Sequence, residues 1–189
     1  FGLDTRDPLA DTPLTWRTLA LHWEPVTLDR RWLVLRRRQT PRTVESRTLA
    51  TSEVGLNRPF RLPAPERGHL ELTLRLEPTV AGRLVGLVWK VPEVRLQPVE
   101  PTQRPPRRVV AATAVNPFPV VEPPVTTPAE LALLLLEPST ASPRTARLVC
   151  RGPWAWRSAT LEAHQVEWLS PDPDPDPETP PATRPRAGI

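Results

Sequence analysis

Tyrosine and methionine are absent from this chain, lysine and isoleucine occur once each, and there is one cysteine, Cys150. A single cysteine excludes an internal disulfide framework. No apolar run approaches the roughly 18 residues that a spanning helix needs, and no signal peptide is visible. The chain opens at Phe1, which implies a processed, mature-numbered or trimmed N-terminus. Glycine is scarce as well: the seven present form no phosphate-cradling loop, and neither a G-x-S-x-G elbow nor an H-E-x-x-H helix occurs.

Phe, Tyr, Met, Ile, Asn and Lys, all with AT-rich codons, total seven residues, which points to a GC-rich genome. Leu, Val and Ala must then stand in for Ile and Tyr in strands, which blurs ordinary β propensity. Arginine likewise stands in for lysine, so its abundance says less than usual about polyanionic partners. The formal net charge of +4 is mild for 189 residues.

Proline is plentiful, with 28 residues. It cannot donate to a strand ladder or sit inside a helix, so it belongs in turns, edges and linkers. Many short elements follow. The most legible one is "HLELTLRLEP" (69–78): Leu70, Leu72, Leu74 and Leu76 alternate with Glu71, Thr73, Arg75 and Glu77. Period two places the leucines on one face and the polar residues on the other, a half-buried antiparallel strand. Pro78 stops it, Ala81-Gly82 allow a turn, and 83–97 reads as its hairpin partner, with a bulge or edge at Pro92.

"LTWRTLALHW" (14–23) reads as a further strand. "VTLDRRWLVLRRR" (26–38) is apolar on both faces at its centre, where Leu33, Val34 and Leu35 are consecutive. In 154–170, Leu161 and Ala163 lie in one register and Val166 and Trp168 in the other, which predicts a bulge between them. "AELALLLLEP" (129–138) echoes the 69–78 strand. Thr127 as N-cap, Pro128 at N1 and Glu130 at N3 are a helix start, yet in a chain nearly without isoleucine a buried strand would look similar. The segment reads as a strand or as one short helix at 128–137. Because the two copies share leucines but not exposed residues, packing explains the echo better than a functional repeat.

The expected architecture is all-β: an antiparallel β-sandwich or jelly-roll-like barrel of about eight to ten strands. An N-terminal arm (1–13) precedes a β domain (14–169) with a Pro-rich connector at about 98–128, and an extended Pro-rich tail (170–189) follows.

Chemistry-bearing patterns are few. "RRWLVLRRR" sets Arg30, Arg31, Arg36, Arg37 and Arg38 around Trp32, with Arg42 beyond and Trp16 and Trp23 before it. Basic residues interleaved with aromatics can track phosphates and stack bases, although tryptophans at such positions also fill β cores. Arg104, Arg107 and Arg108 in "QRPPRR" add a second basic loop. The closing segment with its acidic Pro-rich tail is loosely similar to the end of an OB-fold single-strand binder, but without an established motif and with a basic end at Arg184 and Arg186.

His22, His69 and His164 lack metal-site spacing. Asp172, Asp174 and Asp176 alternate with proline and cannot curl around calcium. A Cys150–His164 pair would lack a third, orienting group. No catalytic, metal or cofactor site is therefore expected.

The expectation is a non-enzymatic structural or interaction protein, such as a virion, phage-tail or cell-surface-layer component. It would dock other subunits through β edges and extended arms, with no membrane span. The alternative is a nucleic-acid-binding, OB-like β-barrel that uses the Arg/Trp patch.

Overall fold

Alternating apolar residues, proline punctuation and two strong helix caps sort this chain into ten strands and three helices among the described residues of a computed structural model. Those residues are Leu9, 12–29, 32–100, 106–120, Val125, 127–136 and 144–170. The order is α1 (Pro13–His22), β1 (Trp23–Leu28), β2 (Leu33–Arg37), β3 (Thr43–Val54), β4 (Pro59–Arg61), β5 (His69–Pro78) and α2 (Val80–Val88). It continues with β6 (Val94–Glu100), β7 (Arg107–Val109), β8 (Phe118–Pro119), α3 (Pro128–Leu136), β9 (Thr145–Cys150) and β10 (Trp156–Leu169).

Two four-stranded antiparallel sheets, ordered β3-β10-β5-β8 and β4-β9-β6-β7, share one apolar core. Leu70, Leu72 and Leu74 of β5, with Leu161 and Ala163 of β10, meet Val94, Leu96, Leu148 and Cys150 of the other sheet. This layering is compatible with the expected sandwich. No sheet closes into a barrel, so that half of the expectation is corrected. The Pro-rich stretch supplies two of the four outermost strands, β7 at the edge of one sheet and β8 at the edge of the other. An edge strand needs only one row of donors.

A second core lies across the opposite face of β10 and β5. Leu9, Trp16, Ala20, Leu134 and Leu135 cover Val166 and Trp168 there. This explains the two registers in β10: its first half is buried by the facing sheet, its second half by α1 and α3. A register shift does fall at Ala163/His164, but it lies in the pairing with β3. In the pairing with β5 the register runs unbroken from Ser158 to Val166.

Three strand expectations need correction. Residues 14–22 form α1, because Pro13 occupies the first turn and the buried residues Trp16 and Ala20 recur at helical, not alternating, spacing. Residues 80–88 form α2 instead of returning as a hairpin, because the Thr79 hydroxyl accepts from the Gly82 amide at 2.9 Å and caps a new helix. Leu70–Leu76 therefore pair with β10 and β8, not with 83–97.

At 128–136 the helix reading prevails. The Glu130 amide donates to Thr127 Oγ1 at 3.2 Å and the Thr127 amide to Glu130 Oε2 at 2.9 Å, a complete capping box. Its C-terminal carbonyls are capped from a distance: Arg42 Nη1 donates to Leu135 O at 2.6 Å and Nη2 to Leu136 O at 3.2 Å. Desolvation, then repulsion from Arg38, lowers the Arg42 pKa, against an opposing pull from Glu24. The echo of 69–78 is thus one strand and one helix, not a repeated module.

The arm at 1–13 lies outside the described residues except Leu9, Thr12 and Pro13; Leu9 is buried in the second core and Pro13 opens α1. The tail lies outside them from Pro171 onward.

Candidate functional site

Two surfaces leave large apolar side chains in water. The first is the β1–β2 hairpin, a two-stranded sheet of its own, in which neither strand has a further partner among the described residues. Asp29 and Trp32 close its turn by reciprocal backbone bonds of 2.9 and 3.2 Å. Leu33 and Leu35 turn inward against the second core, so Val34 between them must face outward. Val26, Leu28, Trp32 and Val34 are between 49 and 71 % exposed. The consecutive apolar residues at 33–35 thus mark one half-buried and one exposed face, not a strand buried on both.

The second surface is α2. Val80, Leu84, Leu87 and Val88 recur at i, i+4, i+7 and i+8, the spacing of a helix's apolar stripe. Here the stripe faces solvent: these four and Trp89 are between 62 and 82 % exposed. The inward side carries Gly82, where an added Cβ would stand 2.1 Å from the carbonyl oxygen of Ala155. That close seat on the 3-10 turn Pro153–Ala155 is held by the Thr79 amide donating to Ala155 O at 2.9 Å and the Thr79 hydroxyl to Trp154 O at 2.9 Å. Trp154, 54 % exposed, lies on that same turn, and its carbonyl accepts from Thr79 at the helix start.

Among the described residues, two arginines of the basic patch pair within the protein. Arg36 donates from Nε and Nη2 to Glu24 Oε1 at 2.9 and 2.6 Å. Arg38 donates from Nη1 to Glu24 Oε2 at 3.2 Å and from Nε to Trp23 O at 3.2 Å. The hydrogen bond from Arg36 lowers the Glu24 pKa below its ordinary 4.5, with burial opposing and the charges of Arg36, Arg38 and Arg42 assisting. Arg37 is exposed.

Arg108 Nε lies 3.3 Å from Glu93 Oε2, and Arg95 pairs with the same carboxylate. Arg30, Arg31, Arg104 and the Arg107 side chain lie outside the described residues. Of the tryptophans read with the patch, Trp16 is buried against Trp168, with ring centroids 6.1 Å apart, Trp23 is half-buried, and Trp32 alone is exposed.

The structure also shows a polar cluster that alternation alone misassigns. Glu71 belongs to the expected solvent face of β5, yet it and His69 are only 1 % and 0 % exposed. The second core covers that end of the strand. His69 Nε2 lies 3.1 Å from Glu71 Oε1, and the imidazole meets the Trp168 ring edge-on at 4.6 Å. His69 Nδ1, Glu71 Oε2 and Trp168 Nε1 have no hydrogen-bond partner among the described residues. His164, the direct cross-strand partner of Glu71, bonds Thr48 Oγ1 at 3.2 Å and Thr73 Oγ1 at 3.3 Å.

Cys150 faces the first core, whereas His164 lies across the β10 sheet from that core, so the structure does not bring this pair together. Among the described residues no group of three or more His, Cys, Asp or Glu could hold a metal ion, and no helix is long and apolar enough to cross a membrane. Compared with known proteins, the chain matches no family model, no curated protein and no solved structure.

Proposed function

We propose that this chain is a non-enzymatic assembly protein that docks further copies of itself by strand addition at the β1–β2 hairpin. The observation that carries this reading is the hairpin's combination of strand edges that no other strand pairs with among the described residues and four exposed apolar side chains, Val26, Leu28, Trp32 and Val34. An isolated two-stranded sheet is marginal in water, and another strand supplies both the missing ladder bonds and an apolar cover.

The other long edge, β3, is guarded. It carries Glu45, Arg47 and Glu53 and a register shift opposite Ala163/His164, devices that discourage edge pairing. The hairpin has its own Pro25, register shift at Pro25/Thr27 and charges at Glu24, Arg36 and Arg37, all in its proximal half, so strand addition would fall on the distal half, at Leu28, Leu33 and Val34. Repetitive structures such as shells, tails and surface layers are where such a subunit would serve.

The nucleic-acid reading has less support, because Arg36 and Arg38 already serve Glu24.

Sedimentation of the intact protein over a concentration series tests the proposal. The native chain is expected to self-associate, and Leu28→Glu or Val34→Glu to weaken association by more than about tenfold, since burying either charge in an apolar contact costs well over 1.4 kcal/mol. A native protein that stays monomeric throughout, or variants that associate equally well, contradict it. Oligonucleotide affinity falling steeply with salt would favour the alternative.

A further inference from the structure

The outward stripe of α2 calls for a different cover from the hairpin. We infer that α2, with Trp89 and Trp154, is an interfacial anchor for an anionic lipid surface, a site that rests on the assembly reading only in being a second contact face of the same subunit.

Shape and size argue first. A nine-residue helix is about 13.5 Å long, and its four stripe residues and Trp89 are more than 60 % exposed, so they form a ridge and not a groove. A ridge of that length offers, on its own, less than the roughly 800 Å² per partner of a standard-size protein interface. Lipid, being fluid, needs no complementary groove and accepts a short apolar ridge to a depth of about 5–10 Å.

Charge argues next. Exposed Arg83 lies on the helix and Lys90 directly follows Trp89; exposed Arg151 and Arg157 flank the turn that carries Trp154. The nearest acids in sequence are Glu77, which accepts from Ser158 Oγ at 3.3 Å, and Glu93, already shared by Arg95 and Arg108. Apolar residues for the acyl boundary, tryptophans for the headgroup level and cations for anionic lipid are the three requirements of an interfacial helix. The helix lies on the membrane and does not span it.

Co-sedimentation of the intact protein with phosphatidylcholine vesicles, with and without phosphatidylserine, tests the inference. Binding is expected with phosphatidylserine, with a blue shift of tryptophan emission that is smaller in Trp89→Phe. Leu84→Ser with Leu87→Ser should weaken it at least about tenfold; both positions are exposed, and an unchanged near-ultraviolet circular dichroism spectrum verifies the fold. Should that pair misfold, Val88→Ser gives the same reading.

No binding to either vesicle, or equal binding to both, overturns the inference. So does a double variant that binds vesicles normally but self-associates less, since α2 would then be a protein contact. Loss of self-association in the hairpin variants without vesicles reads the assembly proposal separately, so the two can fail independently.

Discussion

Replacing His69 by alanine is expected to destabilise the protein by about 2–4 kcal/mol. Glu71 is buried and His69 is its hydrogen-bond partner; removing the imidazole leaves a carboxyl group desolvated and unanswered. The edge-on contact with Trp168 at 4.6 Å is lost as well, worth about 0.5–1.5 kcal/mol on its own. At roughly 2–4 °C per kcal/mol for a chain of this size, Tm should fall by about 4–16 °C.

The double substitution His69→Ala with Glu71→Leu should recover much of that loss, because apolar replacement of a buried polar pair is often neutral. A thermal melt in which His69→Ala changes little, or in which the double variant is worse than the single one, would show that the pair is not enclosed as described.

Gly82→Ala sets two effects against each other. Alanine is the better helix former by about 1 kcal/mol. Against that, its Cβ would stand 2.1 Å from the Ala155 oxygen, the atom that also accepts from the Thr79 amide. Overpacking costs about 1–3 kcal/mol and the strained hydrogen bond about another 1. A net loss of about 1–3 kcal/mol is therefore expected, and α2 should loosen from the turn beneath it. Faster hydrogen exchange confined to residues 79–89 would register the loosening. A raised Tm with unchanged exchange would mean that the helix does not rest on Ala155.

What could be read from residues alone was local. The four alternating leucines of β5 needed no context, and Thr127 with Glu130 carried a complete capping box whatever surrounded them. Residues 80–88 misled because three valines and two glycines are poor helix formers, while the decisive signal was a single hydroxyl, Thr79. Residues 14–22 misled because Leu19, Leu21 and Trp23 mimic alternation, although Pro13 marked a helix start.

The burial of Glu71 and His69 was not legible. It depends on α1 and α3 arriving from 56 residues before His69 and 57 residues after Glu71 (69−13 and 128−71) to cover one end of a sheet face. The basic patch was legible as composition but not as geometry: Glu24 lies 12 residues from Arg36, and only the hairpin register sets them opposite each other. The outward stripe of α2 was hidden for a similar reason, since helical spacing says which residues share a face but not which way that face points.

Residue-resolved oxidation of the tryptophans, read by mass spectrometry, reaches both contact surfaces at once. In dilute protein Trp32, Trp89 and Trp154 should react quickly, and Trp16 and Trp168 slowly. At concentrations where the protein self-associates, Trp32 is expected to become protected while Trp89 and Trp154 stay reactive until phosphatidylserine vesicles are added. Equal reactivity of Trp32 in the dilute and associated protein would contradict docking at the hairpin.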